Sequence, residues 1–382
     1  MKLYYLAYAR LPSSKAHGLA LMKMCESFSR AGIATTLFVM HRRDAPEPDP
    51  FLAYGVPRIF TIHYVPVPDL TNIFPWKLAF GLQSALFYFE TFFTILFAKS
   101  PDTFLYTRNA PFALLTFFGF NVAYECHAIP ARPKSFFWLC RHMDRIVVIS
   151  ESLRALFIAQ GFASNKLLLA PSGVDLNIFM TDTSRQEARE KLNLPLDAPI
   201  VVYTGSFTTM GEDKGMQDSI QALASVPGAL FVAVGGRTED RERYGTEATQ
   251  AQVADRVRLL PPVSQETLAL YQRAADVLLM PFPDTQHYRF HMSPLKMFEY
   301  MASGTPLIAS DLPTIRSVLN EETAVIVPPN DPKTLAQAIQ RLLNDTEHGI
   351  RIAQRAQKEV VQYSWDHRSQ QVLQHLAPLM NN

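Results

Sequence analysis

The sequence predicts an α/β protein built from two Rossmann-like domains, and three observations carry that expectation. Strand-like and helix-like runs alternate from end to end, which is the pattern of parallel βαβ units. The 382 residues exceed what one core holds, since domains run to about 100 to 200 residues each. An apolar content of 48% against 19% charged residues excludes a disordered, collagen-like or low-complexity chain. Two such domains imply a cleft between them, with ligands bound beyond the carboxyl ends of the strands.

Residues 3–9 form a short apolar run between Lys2 and Arg10, so a first strand, over 3–7, is expected there rather than a cleavable leader. A loop holding Pro12, Ser13 and Ser14 leads to a helix from about His17 to Arg30, stopped by Ala31-Gly32. Strands are expected at 35–40, 104–107 and 121–124, and 145–150 closes the series with Ser150 placed to cap the next helix. Residues 76–98 carry Phe80, Phe87, Phe89, Phe92, Phe93 and Phe97. A spanning helix wants about 20 apolar residues. Glu90 falls inside this one, and a carboxylate at mid-bilayer costs roughly 2.5 to 3.5 kcal/mol. Gln83, Glu90 and Thr94 share a side at helical spacing, so the segment reads as an amphipathic helix with a narrow polar stripe, packed in the core or lying partly on a membrane.

The polar stretch 175–197, with Thr181, Thr183, Ser184, Pro195 and Asp197, is the expected linker region. After it, 200–204, 230–234, 257–260, 277–280, 307–309 and 324–327 read as a second set of short buried strands separated by helices. The net charge of +1 hides an asymmetry: residues 1–175 hold 17 Lys/Arg against 11 Asp/Glu, and 176–382 hold 19 against 24. A modestly basic front half suits an anionic membrane surface and is too weak for nucleic acid. Cys25, Cys126 and Cys140 form no CxxC pair, which argues against a disulfide framework or a zinc site and suits a reducing compartment.

Two segments carry candidate chemistry. In YTGSFTTMGEDKGMQDSIQAL (203–223), a strand ends in Gly205-Ser206, and Gly211 and Lys214-Gly215 follow before a helix. Such a loop brings backbone N–H groups and an ammonium to phosphate, although a plain surface turn has the same composition. Neither GxxxxGK[ST] nor GxGxxG occurs after any strand. In HMSPLKMFEYMASGTPLIASDLP (291–313), Ser293 is expected to cap a helix that begins at Pro294, runs to about Ser303 and ends at Gly304. The amino end of that helix carries about half a positive charge, which favours an anion. Glu299 then lies within reach of whatever the helix end holds, and vicinal ribose hydroxyls would suit it; a surface carboxylate paired with Lys296 is the plainer alternative.

Residues 201–343 resemble the nucleotide-sugar domain of the retaining glycosyltransferases of family 4, which have the GT-B fold. PSGVDLNIF (171–179), RLLPPVSQETLALYQRAADVLLMPFP (258–283), VPPNDPKTLAQAIQRLLND (327–345) and SWDHRSQQVL (364–373) extend the similarity. In the front half, KAHGLALMKMCESFSRAG (15–32), PDTFLYTR (101–108), YECHAIP (124–130) and DRIVVISESLR (144–154) also resemble the family. The similarity covers nearly the whole chain. It implies a GT-B fold, two Rossmann-like domains facing across a cleft: an acceptor domain over 1–175, a nucleotide-sugar domain over 176–362, and a closing helix over 363–382 that packs back toward the first.

By the resemblance, Glu299 holds the donor ribose, and Ser293, Pro294 and Leu295 form the loop that meets the diphosphate and sugar. The family's Glu-x7-Glu pair has His291 in place of its first member, which puts His291 near the donor sugar hydroxyls. The family's Gly-Arg, followed five residues after the Arg by Lys-Gly, reads Gly205-Ser206 here, with Lys214 eight residues on. One diphosphate cation is thereby missing; Lys214 is the principal one left, and Arg237 after Gly235-Gly236 is a further candidate. The glycine pair before the first helix reads Lys15-Ala16, with Gly18 nearby to approach phosphate. His127 corresponds to the family's histidine beside the reacting sugar, whereas His17 reads as structural.

No Asp-x-Asp occurs, so no metal clamp on the diphosphate is expected and no cofactor beyond the donor substrate. The resemblance thus implies a cytoplasmic, metal-independent retaining transferase of glycolipid, polysaccharide or glycan biosynthesis. Its partners would be a nucleotide-sugar donor, a glycan or lipid-linked acceptor and a membrane surface, with no nucleic acid. A nucleotide-sugar epimerase or a non-catalytic scaffold of the same fold are the alternatives.

Overall fold

Runs such as Ile-Val-Val-Tyr-Thr and Leu-Phe-Val-Ala-Val are buried at every position, as strands covered on both faces must be. The computed structural model describes the chain except Ser14, Arg43, Asp44, Pro101, Met210, Asn381, Asn382 and the side chain of Met380. Ser14 of the first loop and Met210 of the loop before Lys214 therefore lie outside the described residues. The chain forms two units, Met1–Ser172 with Trp365–Asn382, and Gly173–Ser364.

The first unit has seven parallel strands: β1 (Lys2–Leu11), β2 (Ala34–His41), β3 (Thr61–Tyr64), β4 (Thr103–Thr107), β5 (Asn121–Cys126), β6 (Arg145–Val148) and β7 (Leu167–Leu169). Their order is β3-β2-β1-β4-β5-β6-β7, so the winding reverses between β1 and β4. The sheet of the second unit contains β8 (Ile200–Thr204), and the loop beyond it forms a small hairpin from β9 (Thr208–Thr209) and β10 (Glu212–Asp213). The other strands of that sheet are β11 (Leu230–Val234), β12 (Val257–Leu260), β13 (Val277–Met280), β14 (Leu307–Ser310) and β15 (Val325–Val327). All pair in parallel in the order β12-β11-β8-β13-β14-β15, and the winding reverses between β8 and β13. Ligands of doubly wound sheets bind beyond the carboxyl end of such a reversal.

Ser150 caps the Glu151–Ala159 helix as expected, accepting from Leu153 N at 3.3 Å. Three expectations are corrected. Residues 175–197 are not a linker. They hold helices Leu176–Phe179 and Arg185–Lys191, and two of the polar residues of the stretch, Asp175 and Ser184, are the caps of these helices. Phe179 and Ala188 are buried in the core of the second unit, and Arg189 pairs with Asp276 at 2.7 Å.

The Trp76–Phe97 helix exists, but its inward face is the row Ala79, Gln83, Phe87, Thr91 and Ile95. Gln83, expected on the narrow polar stripe with Glu90 and Thr94, is only 4% exposed and donates to Pro68 O and Asp69 Oδ1. The Phe-rich side faces outward instead. β3 and β7 were absent from the sequence expectation; one is an edge strand of four mixed residues and the other has three residues, too short to show alternation.

Candidate functional site

In the second unit the reversal point brings together the loop after β8, the turn after β13 and the Leu295–Ser303 helix. Gly205 and Ser206 follow β8 directly. The β9–β10 hairpin then folds the chain back, so Lys214, eight residues on, donates from Nζ to Ser206 Oγ at 2.9 Å. The long spacing seen in the sequence is taken up by that hairpin. Gly215 holds the return: its φ is +89°, and a Cβ there would lie 1.9 Å from Pro281 O, so only glycine lets the lysine loop close on the turn after β13. Burial pulls the Lys214 ammonium down to about 8.

The helix carrying Glu299 begins at Leu295, with Pro294 in the cap position at φ −73° and ψ 130°. Ser293 is therefore not the cap, because extended Pro294 delays the helix by one residue. Gly304 ends it in the left-handed conformation. Glu299 is 7% exposed, so it is not a surface carboxylate. It accepts from Gln272 Nε2 at 3.3 Å, and the same amide reaches Thr204 Oγ1 at the end of β8. Burial raises its carboxyl to about 7, against the opposing pull of Gln272 and Lys296.

Ser293, Pro294 and Leu295 are half-buried at the helix start. His291 sits just before them, with Nδ1 buried and unpaired, and burial together with His287 lowers its basicity. Arg237 is engaged elsewhere, with Asp240 at 3.5 Å and Thr208 Oγ1 at 3.4 Å. Lys296, which entered the sequence reading only as a surface partner for Glu299, is buried with no hydrogen-bond partner for Nζ. The readable signal was a lysine one position into an otherwise apolar helix start.

In the first unit His127 is one arm of a network that the sequence reading missed. Its Nε2 lies 2.6 Å from Glu125 Oε1, and an ionised carboxylate can only accept, so Nε2 carries the proton and Nδ1 is left as an acceptor. Glu125 is fully buried, and it also receives Arg108 Nη2 at 2.8 Å, Arg368 Nη2 at 3.3 Å and the Tyr106 hydroxyl. Burial alone would raise its carboxyl, but Arg108 and Arg368 outweigh that and hold it well below the usual range. Burial and Arg108 lower the His127 imidazole. Arg368 comes from the Trp365–Met380 helix and also donates to Pro171 O at 2.6 Å. A glutamate inside the otherwise apolar run Val-Ala-Tyr-Glu-Cys, buried at every position, was the available signal.

Gly18 lies in the first turn of the Ala16–Arg30 helix, where a Cβ would lie 2.1 Å from the Tyr54 hydroxyl. That close approach gives the glycine a packing reason. Arg108 Nη1 reaches the His17 carbonyl at 3.5 Å.

The family model described as Glycosyltransferase Family 4 matches residues 20–178, and that described as Glycosyl transferases group 1 matches 184–359. A D-inositol 3-phosphate glycosyltransferase of Xylanimonas cellulosilytica is 31% identical over 241 residues, 58% of this chain and 56% of that protein. Its counterpart from Jonesia denitrificans is 29% identical over 219 residues, 54% of this chain and 50% of the relative. The chain thus spans about half the length of the curated relatives it matches. Among solved structures, the sucrose-phosphate synthase of Thermosynechococcus elongatus superposes with a TM-score of 0.77 at 23% identity, covering 100% of both chains. Anabaena HepE in complex with UDP-glucose gives 0.74 at 16%, covering 99% of this chain and 100% of that one.

Proposed function

Because the chain belongs to the family 4 glycosyltransferases of GT-B fold, we propose that it transfers a sugar from a nucleotide-diphosphate donor to an acceptor hydroxyl, with retention of configuration. The observation that carries this reading is the convergence of Lys214, the Gly205-Ser206 loop and the start of the Leu295–Ser303 helix at the reversal point of one sheet. As the bond from sugar to diphosphate stretches, negative charge grows on the leaving phosphates. An ammonium and a helix amino end placed there stabilise the transition state more than the bound donor. Glu299, on the same helix, is suited to accept from the ribose hydroxyls. The test is thermal shift and donor hydrolysis across UDP-, GDP- and ADP-sugars. UDP-glucose and D-inositol 3-phosphate enter first, because the HepE complex and the inositol phosphate transferases bear those names. No response to any donor would overturn the reading.

The reaction proceeds without a metal on this proposal, since the sequence has no Asp-x-Asp to bridge metal and diphosphate and the positive charge comes from lysine and the helix end. Turnover is therefore expected to be unchanged by EDTA. Loss of activity on chelation, restored by manganese or magnesium, would refute this.

The protein is further proposed to act in the cytoplasm, on the inner face of an anionic membrane, with a lipid-linked glycan among its acceptors. The support is the outward side of the Trp76–Phe97 helix, where Trp76, Phe80, Phe89, Phe93 and Phe97 are exposed, Phe97 at 85%. Phe92 of that helix meets Phe118, and next to it in the chain Phe117 meets His142, which meets Trp138; Phe117, Phe118 and Trp138 are exposed as well. Lys77 lies over Trp76, and Lys99 donates to Phe118 O at 2.6 Å. Aromatic rings with lysines among them suit an acyl boundary beneath anionic headgroups, each lysine adding about 1 kcal/mol near the surface. Co-sedimentation with phosphatidylserine vesicles is expected at low salt and to weaken at about 0.5 M salt. A Phe89→Ser, Phe97→Ser variant should stay in the supernatant, and a wild type that stays there at both salt levels would sink the proposal.

A further inference from the structure

Lys296 is 7% exposed, and its ammonium finds no acceptor. What it meets is the ring of Tyr203, with Nζ 3.4 Å from the centroid, and more distantly Phe282 at 5.5 Å. A buried ammonium without a hydrogen-bonded acceptor is unfavourable, and a cation–π contact offsets only part of that. Burial and the like charge of Lys214 depress its basicity, while Glu299 opposes them. The side chain also borders the Gly205-Ser206 loop: Cε and Nζ lie 3.4 and 3.6 Å from where a Cβ on Gly205 would be. Lys214 holds Ser206, the next residue, at 2.9 Å. Two lysines thus border neighbouring residues of one loop, beside the start of a nine-residue helix.

We infer that Lys296 is a second diphosphate-binding cation of this site, supplying the charge that Ser206 does not. The inference rests on the donor-site reading and deepens it. Like charges on Lys214 and Lys296 oppose each other, and a diphosphate beside both turns that repulsion into attraction for the ligand. The Tyr203 ring, itself fixed by a hydrogen bond from its hydroxyl to Ser206 O at 2.9 Å, holds the ammonium in position for that role. A methionine would fill the same space with no charge to desolvate, so packing alone does not call for lysine here.

The test is isothermal titration of the full chain and of Lys296→Met with UDP, GDP and ADP and with the corresponding nucleosides. For the base that the wild type accepts, Lys296→Met should bind the diphosphate at least tenfold more weakly and the nucleoside within about twofold, with the unliganded variant melting no lower than wild type. Lys296→Gln, which keeps length and polarity without charge, should behave alike and covers a failure of the first variant to fold. A wild type that binds a diphosphate while both variants bind it equally well overturns the inference and leaves the donor-site reading standing. An equal loss for diphosphate and nucleoside also overturns it, because that marks a structural role. A wild type that binds none of the three diphosphates overturns both.

Discussion

Replacing Glu125 with alanine is expected to destabilise the first unit by about 3–5 kcal/mol, because it leaves two buried guanidinium groups without their shared carboxylate. Against a total stability of about 5–15 kcal/mol, a loss of that size lowers the melting temperature visibly. The sign with pH is fixed by the direction of the shift. The folded carboxyl titrates well below its ordinary range, so its contribution is complete above the unfolded value near 4.3 and is lost as the pH falls through the folded one. Wild type and variant should therefore differ at neutral pH and converge in acid. Calorimetric scans at several pH values check this, and a difference under about 1 kcal/mol at pH 7 would show that the network contributes little. Because Glu125 also sets which nitrogen of His127 carries the proton, Glu125→Gln is expected to lower kcat more than it raises KM.

Lys214→Ala is expected to lower kcat by at least tenfold and toward about a hundredfold, the scale seen when one fixed stabiliser of developing charge is removed. Glu299→Gln should also lower activity by about tenfold or more, mainly through weaker donor binding, with the fold of both variants intact. The two differ in pH behaviour. The Glu299 carboxyl titrates near 7 in the unliganded protein, so donor binding that uses its carboxylate strengthens as pH rises through that value, and Glu299→Gln should flatten the rise. Steady-state kinetics at several donor concentrations between about pH 6 and 8 separate the effects. Wild-type turnover and donor affinity in both variants would remove these residues from the site.

The sheets were legible because the central strands of a doubly wound fold are buried on both faces and read as short apolar runs. The expected 200–204, 230–234, 257–260 and 277–280 coincide with β8, β11, β12 and β13. The helix of Glu299 was legible from its Pro start and Gly stop, with its first residue displaced by one. Where polar residues cap short helices, as Asp175 and Ser184 do, composition alone looks like a linker, since capping and solvation draw on the same residue types.

By itself, then, the sequence determined the alternation of strand and helix, the two sets of strands, and the placing of Lys214 in a loop before a helix and of Glu299 on the helix that begins beside Pro294, because these follow from periodicity and from local start and stop signals. Only the tertiary structure decided which face of the Trp76–Phe97 helix turns inward, since a helix that is apolar nearly all round has only a narrow polar stripe to choose it, and Gln83 of that stripe packs inward. It alone joined Glu125 to Arg368, 243 positions apart in the chain, and buried Lys296 beside Gly205. Those outcomes depend on contacts between distant segments, and a charged residue becomes buried or exposed according to what packs over it, which no local window of residues contains.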